Sequence, residues 1–197
     1  ADEVYEKLLY DGIVMTSVAS LGPEVKALTV LINGVSKTYA MTGWRIGYAA
    51  APRELAQAMA NIQSHATSNP NSIAQQAAIA ALNGPQEPAQ QMLAEFAKRR
   101  ARMVEGINAI PGLSCRKPEG AFYVFADTSD LYGQTIRGQK ITDSISLAEF
   151  LLTEAHVALV PGVAFGDDRF VRFSYATSME NIDKGLQRIK DVLTEVR

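Results

Sequence analysis

Residues 33–48 place a lysine where it can do covalent chemistry. They read Asn33-Gly34-Val35-Ser36-Lys37-Thr38-Tyr39-Ala40-Met41-Thr42-Gly43-Trp44-Arg45-Ile46-Gly47-Tyr48. A short apolar run precedes Lys37, and turn chemistry surrounds it, so its amine is positioned away from bulk water. Desolvation favours the neutral amine, the form that attacks an aldehyde to make a Schiff base. Arg45 follows at the lip of the next apolar run. Its planar guanidinium suits a phosphate dianion, which it grips with two parallel hydrogen bonds. Gly43 and Gly47 let the backbone approach closely. Taken alone, Lys37 reads as an ordinary solvated lysine; the chemical reading rests on the whole run.

Other candidates lie at the two ends of the chain. Arg172 sits in Arg169-Phe170-Val171-Arg172-Phe173-Ser174-Tyr175-Ala176, alternating with Val171 and Phe173 as on a strand. An arginine in that setting is either half of a buried ion pair or a carboxylate clamp. Arg169 adjoins Asp167-Asp168 and reads as a surface pair. Asp2-Glu3-Val4-Tyr5 places a carboxylate and a phenol near each other, a weak signal that usually marks a solvated helix start. Cys115 is the only cysteine, and the histidines are His65 and His156 alone. That inventory argues against a zinc site and excludes an internal disulfide. Cys115 reads as a small core or strand residue, in keeping with a reducing compartment such as the cytoplasm.

The lysine run resembles the motif of the fold-type-I, class I/II aminotransferases, the aspartate aminotransferase superfamily. In that family Ser-Lys and a short aromatic-containing spacer precede Thr-Gly-x-Arg-x-Gly; here these are Ser36-Lys37 and Thr42-Gly43-Trp44-Arg45-Ile46-Gly47. The resemblance covers essentially the whole chain, as the second half of a member about twice as long. It implies pyridoxal 5'-phosphate as cofactor, with Lys37 as its Schiff-base lysine and Arg45 as its phosphate ligand. Asp2 would keep the pyridine nitrogen protonated, since a neighbouring carboxylate favours the cation. Tyr5 would donate to the ring's phenolate oxygen. Arg172 would bind the substrate α-carboxylate, and Phe122, in Gly120-Ala121-Phe122-Tyr123, would edge the substrate pocket. Pro161-Gly162-Val163-Ala164-Phe165-Gly166 matches a family loop and reads as structural. Gly34 departs from relatives that carry a phosphate-binding serine three residues before the lysine; Ser36 or backbone amides would compensate.

The implied reaction moves an amino group between an L-amino acid and a 2-oxo acid. Substrate amine displaces Lys37, which then acts as general base on the Cα proton while Arg172 holds the carboxylate. The same fold and lysine also run β-elimination at carbon–sulfur bonds and α-decarboxylation. An aminotransferase-like sensor domain behind a winged-helix DNA-binding segment is the reading from another class. Product analysis separates lyase from transferase, and a basic winged-helix segment upstream would favour the sensor. The chain opens inside the Asp-x-x-Tyr element, so it reads as a fragment, inactive by itself. Family members are typically homodimers, and residues 63–72 read either as reaching a neighbour's site through Thr67, Ser68 or Asn69, or as a polar helix-to-helix loop.

The elements that must hold these residues are legible in outline. Residues 27–32 and 46–51 read as short strands, stopped by Asn33-Gly34 and Pro52. Continuous apolar strands with intervening helices point to a parallel sheet buried on both faces. Helices are expected over 53–66, with Leu55, Met59 and Ile62 on one stripe, and over Ser72–Leu82. A long helix over 87–109 carries Met92, Phe96, Met103 and Ile107. Strands at 113–116, 121–126, 157–160 and 170–175 follow, with helices over 147–154 and 179–196. Thr177-Ser178-Met179-Glu180 reads as a capping box for the last helix, and 128–143 as a loop able to move. The fold class is α/β: the end of a mainly parallel large-domain sheet with helices, followed by a small α+β C-terminal domain. The change of domain is expected near 75–90, giving 1–80 to the cofactor-binding large domain and 81–197 to the small one.

Composition excludes other classes. The chain has 197 residues, 47% of them hydrophobic, and a net charge of −2. A sizeable core is affordable, and nothing points to disorder. No basic excess suggests nucleic acid or an anionic membrane surface. Its apolar runs are strand-sized, far short of the roughly 20 residues a membrane helix needs. The resemblance implies small-molecule amino acids and 2-oxo acids as the partners.

Overall fold

A computed structural model describes residues 1–194. The chain forms two units, Ala1–Leu93 and Ala94–Arg197. In the first, Gly22 precedes Pro23, whose fixed φ suits the first turn of a helix. The short helix α1 therefore occupies Pro23–Ala27. This takes Ala27 out of the expected strand, and Leu28 is left almost fully exposed. Strand β1 begins later, at Leu31–Gly34, and pairs with β2, Gly47–Ala50.

The pairing of β1 with β2 is antiparallel, with Leu31 opposite Ala50 and Gly34 opposite Gly47. The expected parallel relation is thus corrected for this pair. A parallel return needs a crossover, usually a helix. The connection 35–46 consists of turns and a 3-10 turn at Thr42–Trp44 instead. Parallel geometry survives at one bridge, Asp2 to Ile32.

Two helices follow. Helix α2, Arg53–Ala66, starts after Pro52 and buries none of its side chains fully; of the expected stripe, Leu55 and Ile62 are exposed and Met59 is half-buried. Helix α3, Ser72–Asn83, is capped by Asn71, whose side chain accepts from the Ala74 amide, and it ends at Gly84. Ala74 and Ala78 of α3 are buried against Val35, Met41 and Ile46. The small alanines let α3 approach the lysine segment closely, so its apolar residues face the helix.

The boundary between the units falls within α4, Glu87–Asn108. In the second unit Phe96, Met103 and Ile107 are buried as their spacing predicts, and Arg100 joins the same stripe. It is accommodated because its guanidinium donates to the carbonyl oxygen of Pro118 at 2.9 Å. Gly106 is required where the Leu186 side chain lies against the α4 backbone.

The sheet of this unit has the order β3-β4-β8-β7 and is antiparallel throughout. Its strands are β3 Ser114–Cys115, β4 Tyr123–Asp127, β7 Val160–Pro161 and β8 Phe170–Ser174. Side chains alternate cleanly. Val124, Ala126, Val171 and Phe173 are buried, which sends Tyr123, Phe125 and Arg172 to the other face.

Residues 128–143 are not a plain loop. They hold a small hairpin, β5 Thr135–Ile136 with β6 Gln139–Lys140, anchored by buried Leu131, Ile136 and Ile141. Helix α5, Ser144–Glu154, begins with a full capping box between Asp143 and Ser146. The last helix, α6, spans Met179–Leu193, and its N-cap is Ser178, accepting from the Asn181 amide. The expected box from Thr177 to Glu180 is therefore displaced by one residue. Thr177 instead accepts from the Asn181 side chain at 3.1 Å. The end of the expected helix, Glu195 and Val196, lies outside the described residues.

Candidate functional site

The first unit gathers four of the sequence candidates around β1. Residues 1–3 run alongside this strand: the Ile32 amide donates to the Ala1 carbonyl at 2.8 Å, and the Glu3 amide to the Ile32 carbonyl at 2.8 Å. Asp2 is thereby pinned beside β1, and its Oδ1 accepts from the Val4 amide at 3.1 Å. Buried Glu3 secures the segment from the other side, accepting from the Ser17 hydroxyl at 2.8 Å and the Val18 amide at 3.1 Å. The turn that follows presents Tyr5.

Lys37 lies in the turns after β1 and is half-buried. Its Nζ stands 5.8 Å from the centroid of the Tyr5 ring. Backbone hydrogen bonds from Met41 to Ser36 and from Ala40 to Lys37, at 3.1 and 3.3 Å, close the loop beneath it. Ala40 takes a left-handed φ of 53° to make the bend. That conformation costs an L-residue about 1 kcal/mol. The burial of Val35, Met41 and Ile46 against α3 offsets it. On the opposite strand, Tyr48 has its phenol pKa raised by burial, then by Glu6 and Tyr39.

At Gly34, the departure from relatives with a serine, a side chain would be crowded. A Cβ there would meet the Ile46 carbonyl oxygen at 3.0 Å and the Gly47 Cα at 3.2 Å. Ser36 is half-buried in the lysine turn, and its carbonyl closes the loop.

Arg45 is also left-handed, with φ 56°, and it caps the 3-10 turn, donating to the Thr42 carbonyl at 2.7 Å. Its guanidinium opens on a cleft of about 680 Å³ shared with Gly43, Gln63, Thr67, Asn69 and Asn71. Thr67 and Asn69, between α2 and α3, line the same cleft as Arg45.

The second unit holds Arg172 and its surroundings. Arg172 lies on β8, directly opposite Phe125 of β4. Its guanidinium carbon is 4.3 Å from the Tyr123 ring centroid and 4.4 Å from that of Phe165. All of these border a groove of about 890 Å³. Phe122 points elsewhere, stacking on Phe96 at 5.6 Å. Arg169 pairs with Asp167 at 2.6 Å, as expected, and raises no competing claim to the clamp. Sequence reasoning chose Phe122 rather than Tyr123 from the pocket-edging segment, and it read Phe165 as part of a structural loop. Strand alternation held a signal for Tyr123, since inward Val124 and Ala126 force it to the face of Arg172. No spacing rule pointed to Phe165.

Cys115 is half-buried, and burial pushes its thiol up to about 11, which fits a structural role. Among the described residues no group of His, Cys, Asp and Glu could hold a metal ion. No described helix is long and apolar enough to cross a membrane.

Comparison with known proteins places this arrangement. The family model for aminotransferase class I and II matches residues 1–189. An aspartate aminotransferase of Rhizobium meliloti strain 1021 is 51% identical over 95% of this chain and 46% of its own length. One of Geobacillus stearothermophilus is 50% identical over 96% of this chain and 47% of its own. A crystal structure of the Rhizobium meliloti aspartate aminotransferase superimposes with a TM-score of 0.95 at 47% identity, covering 99% of this chain and 49% of that one. The chain spans about half the length of the curated relatives it matches. With the α/β fold and the lysine motif in place, the chain belongs to the aminotransferase class I and II family.

Proposed function

We propose that the protein is a pyridoxal-phosphate-dependent aminotransferase that moves an amino group from L-aspartate to a 2-oxo acid, acting as a homodimer in the cytoplasm. The observation that carries this reading is the half-buried Lys37 amine over the Tyr5 ring, 5.8 Å from its centroid, in a loop held by buried neighbours. Aspartate as donor draws support from relatives named aspartate aminotransferase at 42–51% identity. The dimer draws support from exposed apolar side chains on α2 and α3, among them Ile62 and Ile73. A reducing compartment suits the lone thiol of Cys115.

The donor set fits the cofactor. An amine, a carboxylate, a phenol and a guanidinium match its aldehyde, pyridine nitrogen, phenolate oxygen and phosphate in turn. Open space lies where a Cβ on Gly43 would stand, beside Arg45. When bound, pyridoxal phosphate supplies an aldehyde for the amine and an electron sink for the Cα–H bond.

The chain's residues do the rest. Lys37 would hold the cofactor through its amine, and its Nζ would serve as the base for the substrate Cα proton. Asp2, fixed by the backbone bonds of its neighbours to β1, favours a protonated ring nitrogen. Tyr5 would donate a hydrogen bond to the phenolate oxygen. Arg45 binds the phosphate, and Ser36 stands beside the lysine to assist it. Arg172 forks the α-carboxylate and so orients the Cα–H bond. Phe122, stacked on Phe96, backs Tyr123 rather than lining the groove itself. The domain reading assigns 1–80 to the cofactor-binding part and 81–197 to the small domain.

The test is product formation by the full-length protein from aspartate and a 2-oxo acid. The new amino acid and oxaloacetate should appear together, and Lys37→Ala should abolish both. Ammonia with pyruvate and a released thiol, formed from a substrate with a Cβ–S bond such as cystathionine in place of transamination of aspartate, would identify a lyase instead.

A further inference from the structure

The outer face of the β3-β4-β8-β7 sheet carries an exposed aromatic row that the family chemistry does not account for. Phe125 and Phe165 keep 37% and 49% of their surface in water, a state that marks either a docking patch or a working surface. The rings are ordered around one another and around a charge. Phe170 stacks on Phe125 at 4.7 Å and 12°, and Phe125 meets Phe165 edge-on at 6.1 Å and 90°. Phe165 and Tyr123 then cover the Arg172 guanidinium at 4.4 and 4.3 Å.

A guanidinium presents two different surfaces. Its faces attract aromatic rings, while its N–H donors all lie in the plane. Rings on the faces leave the donor edge open. Among the described residues, Arg172 has neither a carboxylate partner nor a hydrogen bond of its own. The two ring contacts therefore restrain the side chain and strip water from it, without using the donors. A long, unrestrained arginine would lose that orientation on every encounter.

Phe165 is held in place by its loop. The 3-10 turn Gly162–Phe165 is closed by Gly166 at a left-handed φ of 87°. Gly162 lies so close to the carbonyl oxygens of Phe170 and Asp167 that no Cβ fits. Tyr123 is placed by β4, where its neighbour Val124 is fully buried.

We propose that Tyr123 and Phe165 are positioning residues that orient the Arg172 guanidinium for in-plane capture of the substrate α-carboxylate. This rests on the reading of Arg172 as the carboxylate clamp. The aromatic row is thus a support for one side chain, and it extends the role of the Pro161–Gly166 loop beyond structure.

The experiment uses the full-length holoenzyme with Phe165→Leu, Phe165→Tyr, Tyr123→Leu and Arg172→Ala. Each is assayed with aspartate and with a primary amine that lacks a carboxylate. Phe165→Leu and Tyr123→Leu should each raise KM for aspartate about 5- to 10-fold, the scale of a lost cation–π contact. The kcat should change less than twofold, and the slow reaction of the carboxylate-free amine should be unchanged. Phe165→Tyr, which keeps the ring, should restore the wild-type KM. Arg172→Ala that leaves KM for aspartate unchanged would refute the clamp, and the positioning role with it. If Arg172→Ala raises KM but both leucine variants do not, the clamp stands and the positioning role is refuted. Loss of the carboxylate-free reaction in step with aspartate would mean a packing defect, and would also overturn the proposal.

Discussion

The amine of Lys37 and the ring of Tyr5 come within 5.8 Å although they arise from different segments, one following β1 and the other following the stretch that Asp2 pins alongside it. Strand β1 is the common support. It positions the lysine loop through its end and the Asp2–Tyr5 segment through its edge. Replacing Tyr5 by Phe keeps the ring beneath the amine and removes only the hydroxyl. The full-length enzyme should then lose about 3- to 10-fold in kcat/KM, the range of one hydrogen bond. Steady-state kinetics with aspartate checks this. A Tyr5→Phe enzyme as active as the wild type would remove Tyr5 from the site.

Gly34 and Gly47 face each other across the strands that carry the lysine loop, and a Cβ on Gly34 would crowd the backbone of Ile46 and Gly47. Gly34→Ala should destabilise the protein by about 1–3 kcal/mol, the scale of an overpacked position. Thermal unfolding should show the loss as a lower midpoint. An unchanged midpoint would mean that the β1–β2 pair yields easily.

Much of the helical framework was legible. Pro52, Asn71 and Gly84 bound α2 and α3 within a residue of expectation, because caps and breakers act locally. What failed was set by neighbours. The apolar run 27–32 read as a strand, yet Pro23 started a helix that took Ala27 with it. The direction of β2 depended on whether the lysine loop held a crossover helix, which composition does not reveal. The hairpin in 128–143 was hidden because its anchors, Ile136 and Ile141, are isolated in polar sequence. At the site, Lys37 and Arg45 could be found from a contiguous motif. The pairing of Arg172 with Phe165 brings a strand and a turn together and has no local signature.

Asp143 caps α5 and closes a full box with Ser146. The backbone amide of Ser146, then the Thr142 hydroxyl, hold its carboxyl below the usual 3.8. A depressed carboxyl stabilises the fold above its unfolded pKa, and the contribution is lost as pH falls below about 4. Asp143→Asn should retain most of the cap, while Asp143→Ala should cost about 1 kcal/mol near neutral pH. The difference between wild type and Asp143→Ala should shrink as the solution is acidified. Denaturant titrations at neutral and acid pH measure it, and a constant difference would exclude the charge.

Burial raises the Cys115 thiol from 9.0 to about 11. Thiolate is the reactive form, so native Cys115 should react with iodoacetamide about 100-fold more slowly at pH 8 than an unperturbed thiol. The same shift sets the sign of its effect on stability. The raised pKa means that the unfolded chain loses its proton first, so stability falls as pH rises from about 9 through about 11. Mass spectrometry of alkylation over that range follows the first effect, and rapid labelling at pH 8 would contradict it.

Lys37 is the centre of the account, and one measurement addresses it directly. The full-length protein is mixed with pyridoxal phosphate, its absorbance is recorded, the complex is reduced with borohydride, and the modified peptide is mapped. A band at about 400–430 nm that disappears on reduction, with the label on Lys37 and none in Lys37→Ala, is the predicted result. A label on another lysine, or no adduct at all, would contradict the assignment of Lys37 as the residue that holds the cofactor.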